Sequence, residues 1–453
     1  MELAQSLREV YNAVDPTLPL PSGDPRYVDC TSVRGNEEVV SRMFDAITWS
    51  EADTHQLFTG HRGCGKSTEL LRLQARLEEA DYRVIYFAAD NDLDPNDMVY
   101  SDLLLAIAKR IEGGLAEQEI ALDPNLLDNV VHWFREVIYT KEQWNTVQGE
   151  MAAEARVGVG LPESLPLIAR LMARVTGQIK TGRQVKEHIR RKLDPQISQL
   201  IDNVNLLLDE AYAKIKRQGS QGLVVLIDNL DRITLTELES GRSSHEALYI
   251  DHGEQLRALN CHIVYIVPIS MIYSPKATVL TRIFADNCVL PMIKVHDRDG
   301  RDCDEGLERM REMLARRIDL RNVLTDEAVD HLCRASGGHP RHLMILVRYA
   351  CSYAPRNVWP RPIDLGVTER AESRLVAEYS RMIPEEHFPL LARVYLNKTV
   401  QNDQEHELML YNLSVLEYYN GAPPWHDVHP VVRELPKFQQ ALRHEPAKYF
   451  GDE

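Results

Sequence analysis

A glycine-rich stretch, FTGHRGCGKSTEL over residues 58–70, carries the residue types that can hold a triphosphate. Gly60, Gly63 and Gly65 let the backbone bend with its N–H groups pointing inward, an anion nest at the mouth of a following helix. The run Gly60, His61, Arg62, Gly63, Cys64, Gly65, Lys66, Ser67 and Thr68 contains the spacing G-x-x-x-x-G-K-[ST]. In such a loop Lys66 spans the β- and γ-phosphates, and the Ser67 hydroxyl takes a coordination position on Mg2+. A chance match at a loop–helix junction is the competing explanation. An apolar strand before and a helical pattern after favour a site for ATP.

A second stretch, LVVLIDNLDR, ends an apolar run on a carboxylate, Asp228. A strand tip there would deliver Asp228 beside the loop to hold Mg2+. Asp231, three residues on, offers a second carboxylate that could orient or deprotonate an attacking water. Taken alone, Asp-Asn-Leu-Asp also suits a turn that closes a strand.

The elements around these residues read as the opening of a parallel α/β sheet. Residues 1–27, with DPTLPLPSGDPRY, are expected to be an extended lead-in. Val39, Val40, Met43, Phe44 and Ile47 mark a helix, and HQLFT, YRVIYFAAD, GLVVLIDNLD, HIVYIVPIS and NCVLPMIKV mark strands. Between residues 105 and 218 only RVGVG (156–160) suggests a strand. Ile189, Leu193, Ile197, Leu200, Val204, Leu207 and Ala211 form a helical stripe there, interrupted by Pro195. This segment is expected to be a helical insertion in a core spanning 28–300, or helices that simply cover one sheet face. Residues 301–363 are expected to be a helical lid, with Thr325 capping a helix. Residues 364–453 are expected to be a winged-helix-like domain in which LSVLEYYNGAPPWHDVHPVV makes a two-stranded wing.

The chain has 453 residues, 44% hydrophobic and 26% charged, with a formal charge of −16. That balance disfavours a broad nucleic-acid surface, which draws on clustered Lys and Arg. No apolar run suits a membrane helix, and no signal peptide is legible. Seven scattered cysteines without C-x-x-C pairing suit reduced thiols in a cytoplasm.

SVRGNEE, GHRGCGKST, VVLIDNLDR, VYIVPIS and GGHPRHL, in that order, resemble the AAA+/STAND branch of P-loop ATPases. IDNLDR is similar to the KAP and STAND forms of the Walker B motif. The resemblance implies a sheet in which VYIVPIS separates the loop strand from the Walker B strand and ends in a sensor at Ser270. It also implies a lid whose Pro340 and Arg341 meet the nucleotide. Asp228-Asn229 departs from the usual Asp-Glu pair, which moves the expected base to Asp231. An arginine finger is implied too. Arg282 and Arg232 are the candidates, although either also reads as a surface ion pair.

By this resemblance the chain is an ATPase switch that self-associates or engages a separately encoded effector, in bacterial signalling or antiphage defence. The alternative is an AAA+ protein that loads onto or remodels nucleic acid. Between residues 381 and 450 there are seven Lys and Arg against nine Asp and Glu, which points to protein rather than nucleic acid as that region's partner. The aromatics of YYNGAPPWHDVHP suit an interface or, for Trp425, a core. HDVH reads more readily as structural than as a metal site.

Overall fold

The computed structural model describes residues 3–36, 38–118, 120, 122–156, 167–181, 183–238, 241–355, 361–421 and 423–445. Five parallel strands form the central sheet: β1 (His55–Gly60), β2 (Arg83–Ala88), β3 (Leu223–Asp228), β4 (His262–Pro268) and β5 (Asp286–Leu290). Their order is β2-β3-β4-β1-β5, so β4 separates the glycine-loop strand from the strand ending in Asp228. β3 and β4 are buried along their whole length, as their unbroken apolar runs require of central parallel strands. Gly60 aligns with Pro268 and Leu290, and Ala88 with Asp228. The loops after β1 and β3 therefore leave the same edge of the sheet, where parallel α/β sheets hold ligands.

Alternation along each strand divides the sheet between two cores. Phe58, Val84, Val224, Leu226, Val264 and Ile266 face α2 (Val39–Trp49) and α3 (Lys66–Glu79). The turn α4 (Ala89–Asp92) follows β2. Leu57, Ile85, Phe87, Val225, Ile227, Ile263, Tyr265 and Val267 face the helical segment. That segment comprises α5 (Tyr100–Glu117), α6 (Pro124–Ile138), α7 (Lys141–Arg156), α8 (Leu167–Thr181), α9 (Arg183–Leu193) and α10 (Ile197–Arg217). The stripe from Ile189 to Ala211 packs into the same core as the sheet, and Pro195 lies in the 3-10 turn between α9 and α10. The helical insertion is thus also the cover of this face. Residues 157–160 of the expected RVGVG strand lie outside the described residues.

Short helices α11 (Ser244–Glu246), α12 (Gly253–Arg257) and α13 (Ala277–Ile283) complete the sheet region. The lid follows as α14 (Asp304–Ala315), α15 (Leu320–Val323), α16 (Asp326–Ala335) and α17 (Pro340–Tyr353). Thr325 caps α16 by accepting the Ala328 N–H. The C-terminal region contains α18 (Leu365–Met382), α19 (His387–Asn397), α20 (Gln404–Tyr411), the antiparallel hairpin β6 (Val415–Tyr418) and β7 (Trp425–Val428), α21 (Pro430–Arg433) and α22 (Pro436–His444).

Three features differ from the sequence expectations. Residues Leu7–Ala13 form a helix, α1, inside the lead-in expected to be extended, because Ser6 and Glu9 build a capping box and Val10 is buried. The lid and the C-terminal helices share one core, so the packing has no break at residue 364. Every residue of β6 and β7 is buried. Trp425 and Tyr418 stack 4.6 Å apart and join the core containing Phe58 and Leu70; they are not exposed interface aromatics. Among the described residues, no helix is long and apolar enough to cross a membrane.

Candidate functional site

The loop after β1 turns through left-handed backbone at Gly63 (φ +89) and Gly65 (φ +116) before α3 begins at Lys66. A Cβ on Gly63 would stand 2.8 Å from His339 and Arg341 of the lid. Glycine therefore serves here both the turn and the close approach of the lid. The α3 N-terminus supplies free backbone N–H groups and the positive end of a helix dipole, an arrangement suited to anions.

Ser67 Oγ donates to Asp228 Oδ1 at 3.1 Å. Oδ1 also accepts the Asn229 N–H at 2.7 Å, and Tyr86 Oη donates to Oδ2 at 2.6 Å. Burial, the largest influence, pushes the Asp228 carboxyl above its ordinary range, with the nearby Asp231 adding to it and the hydrogen bonds opposing. Burial and the Asp228 charge raise the Tyr86 phenol, so it remains a donor. The donor set of a hydroxyl and a carboxylate fits Mg2+, which prefers hard oxygen ligands and keeps several waters.

Lys66 Nζ is 2.8 Å from Asp231 Oδ2. It also donates to the carbonyls of Gly60 and His61, at 2.8 and 2.9 Å. Burial, the largest single influence, would raise Asp231, but Lys66, by charge and hydrogen bond, together with the charges of Arg62 and Arg341, holds the carboxyl below its ordinary value. The lysine of the glycine loop and the second carboxylate of the β3 motif are thus tied to each other.

Both pairs open into a cleft of about 570 Å3. Its lining includes the sequence-predicted Arg62, Gly63, Cys64, Gly65, Lys66, Ser67, Thr68, Asp228, Asp231, Arg232, Pro340 and Arg341. Gly60 and His61 stand behind it and contribute their carbonyls to Lys66. Arg232 pairs with Asp90 at 2.7 Å. Ser270 and Arg282 are not brought to the cleft. β4 ends at Pro268, and Ser270 lies fully buried in the following 3-10 turn, its hydroxyl without a hydrogen-bond partner among the described residues. Arg282 is exposed on α13.

Several contributions to the cleft are given no role by the motifs. Asp15 to Leu20, in the lead-in, form one wall, held where Thr68 Oγ1 accepts the Leu20 N–H at 3.2 Å and Arg341 donates to the Pro16 carbonyl. Tyr86 lies within a plain β-strand pattern. Arg34 is 7% exposed and donates to the Cys64 carbonyl at 2.8 Å, while its Nε and Nη1 have no partner among the described residues. Arg317, from the lid, has its pKa lowered by burial to about 10. Seven cationic side chains, Arg26, Arg34, Arg62, Lys66, Arg232, Arg317 and Arg341, line the cleft against Asp15, Glu69, Asp228 and Asp231. A cationic cleft in a chain of charge −16 concentrates positive potential where an anionic ligand would enter.

The lid and the C-terminal region grip the loop from behind. His339 Nε2 donates to the Arg62 carbonyl at 2.8 Å, and its Nδ1 accepts the His342 N–H as the cap of α17. His342 Nδ1 and His429 Nε2 are 2.8 Å apart. His61 Nε2 accepts the Glu417 N–H of β6 at 2.8 Å. Tyr411, at the end of α20, accepts from Arg62 at 3.4 Å and donates to the Ile233 carbonyl at 3.1 Å. The histidines of HDVH, His426 and His429, are both buried. Among the described residues, no group of three or more His, Cys, Asp or Glu is placed to hold a metal ion.

No protein-family model matches the chain, and no curated protein does. Among solved structures, the chain is similar to the Orc1 protein of Aeropyrum pernix in complex with DNA, at 14% identity and a TM-score of 0.38, covering 98% of this chain and 97% of that one. It is also similar to Cdc6p from Pyrobaculum aerophilum, at 10% identity and a TM-score of 0.38, over 95% and 97% of the two chains. A third likeness is to the Walker-type ATPase paby2304 of Pyrococcus abyssi, at 12% identity and a TM-score of 0.41, over 95% and 99%. These are loose likenesses. The architecture is P-loop NTPase-like: a parallel sheet flanked by helices, a helical insertion and a small C-terminal helix-and-strand subdomain.

Proposed function

We propose that this chain is a Mg2+-dependent ATPase of the AAA+ kind that works as a nucleotide-driven conformational switch. The observation that carries the reading is the 3.1 Å approach of Ser67 to Asp228 at the mouth of the glycine loop. Two carriers of hard oxygen ligands, distant in sequence, meet beside an anion-binding helix terminus. Ser67 and Asp228 would hold Mg2+, which would supply neutralisation of phosphate charge.

On this reading the loop N–H groups and the α3 N-terminus grip the phosphates. Lys66 turns from Asp231 toward them, and Asp231, freed of its ion pair, orients the attacking water or takes its proton. Arg341 and Arg34 are the cleft cations best placed on the loop side to stabilise charge on the transferred phosphoryl group. Oligomer formation and an arginine from a neighbouring copy belong to the same proposal.

Because His61 and Arg62 are bonded to β6, α20 and α17, a change in loop geometry is felt by the C-terminal region. A γ-phosphate that biases a bistable element is how such switches work. A second reading, a loader or remodeller of nucleic acid, draws support from the helix-then-hairpin order of α20, β6 and β7. In that reading the buried hairpin must leave the loop before it can meet a duplex.

Steady-state phosphate release with Mg2+ and ATP, with Lys66→Ala and Asp228→Ala as controls, tests the ATPase. Equal release by all three proteins would overturn it. Mass measurement with a non-hydrolysable ATP analogue tests self-association, with a nucleotide-dependent rise in mass expected. DNA binding that falls steeply with salt would favour the second reading.

A further inference from the structure

We propose that Tyr86 is a positioning residue for the Asp228 carboxylate, fixing which oxygen faces Ser67 and so setting the affinity of the site for the magnesium–nucleotide complex. The proposal rests on the ATPase reading above and deepens it. The strand register makes the placement specific. Ala88 pairs with Asp228 and Tyr86 with Leu226, so Tyr86 lies two residues back on the same sheet face, diagonal to the carboxylate. A diagonal neighbour is within reach of a long aromatic side chain. Its ring packs beside Leu226 and Val84 on the α3 side, and its hydroxyl reaches Oδ2 at 2.6 Å.

The other oxygen is held differently. Oδ1 takes the Ser67 hydroxyl at 3.1 Å and the Asn229 N–H at 2.7 Å. Asn229 adopts φ +62, so the chain turns sharply just after the carboxylate that accepts its N–H. The carboxylate is therefore pinned from both sides, with Oδ2 on the strand side and Oδ1 on the loop side. Without the phenol, only Oδ1 is anchored and Oδ2 is free to swing. Outer-shell hydrogen bonds of this kind typically change metal affinity by about 10–100-fold.

Asp90 fixes the rest of the same turn. It accepts from Asn229 Nδ2 at 2.9 Å and Arg232 at 2.7 Å. Tyr86 is the member of this clasp whose side chain touches the carboxylate. Replacement by Phe removes the donor and keeps the ring, which separates positioning from packing.

The test uses the full chain, wild type and Tyr86→Phe, with a fluorescent ATP analogue titrated in EDTA and then at rising Mg2+. Bound Mn2+ is followed separately by its electron paramagnetic resonance. The expected result is metal-free nucleotide affinity unchanged within about twofold. The Mg2+ needed for half-maximal metal-dependent binding should rise about tenfold, with weaker Mn2+ retention. A modest drop in melting temperature is expected, since the buried Oδ2 loses its partner, but the ring remains and the chain stays folded. Identical Mg2+ and Mn2+ behaviour in the two proteins would overturn the role of Tyr86 and leave the ATPase reading standing. Failure of the wild type to bind nucleotide under any condition would overturn both.

Discussion

The carboxylate of Asp231 and the ammonium of Lys66 form a buried ion pair at 2.8 Å, although 165 positions separate them in the chain. Lys66 cannot serve a phosphate fully while it stays there. The pair makes the cleft self-neutralised at its most charged point, and an incoming anion competes with Asp231 for the lysine.

Asp231→Asn separates two roles. Removing the competing charge is expected to tighten ATP binding several-fold, while loss of a group that orients or deprotonates water lowers phosphate release by about 10²–10⁴-fold. Binding by calorimetry and turnover by phosphate release read the two independently. A variant that hydrolyses at the wild-type rate would remove Asp231 from the chemistry.

Asp228→Asn keeps the shape of the side chain and removes its charge. Phosphate release is expected to fall at least about 100-fold, equivalent to about 3 kcal/mol of transition-state stabilisation. Nucleotide binding in EDTA should survive. Retained Mg2+-dependent turnover would exclude Asp228 as the metal carboxylate.

His61 accepts a backbone N–H from Glu417, so His61→Ala leaves a buried donor unsatisfied, a loss of about 1–3 kcal/mol. Faster amide hydrogen exchange along β6 is the expected signature, beyond any change in global stability. Unchanged exchange at Glu417 would mean that this bond does not hold the hairpin to the loop.

Acid should weaken the fold through its buried histidines. Burial, the largest cause in each case, lowers His61 and His342 to about 3 and His55, His245 and His262 to about 4. These values lie below the usual 6.5, so the unfolded chain binds protons that the folded chain refuses. Their contribution is fully favourable above about pH 6.5 and is lost as pH falls toward 3 to 4. The melting temperature is expected to be level above pH 7 and to drop between pH 6.5 and 4.5. A flat profile across that window would contradict the buried neutral state.

Trp425→Ala should cost about 3–5 kcal/mol, because the indole fills the core shared by the hairpin and the sheet. Urea denaturation measures it. A cost below about 1 kcal/mol would show that the hairpin is not an integral part of that core.

Much of this arrangement is written locally. The glycine loop, the apolar runs of β3 and β4, the Thr325 cap and the stripe from Ile189 to Ala211 each depend on neighbours within a few turns or along one strand. Periodicity and turn chemistry act at that range, so the sequence by itself determined the sheet elements, the loop and the two candidate carboxylates. What the partners of those residues are was decided by the tertiary structure. Ser270 follows β4 as the resemblance implies, but the 3-10 turn carries it into the interior. Arg282 has a helix position that does not face the cleft. Tyr86 and Arg34 gain their contacts from strand register and from a turn packed against a distant loop. The lead-in looks like a Pro-rich tail in sequence, yet it walls the cleft, because hydrogen bonds from Leu20 to Thr68 and from Arg341 to Pro16 fix a path that no local pattern specifies. Trp425 has the composition of an interface and the environment of a core. Side-chain type limits what a residue can do, but only the fold brings together the groups, far apart in the chain, that decide what it does.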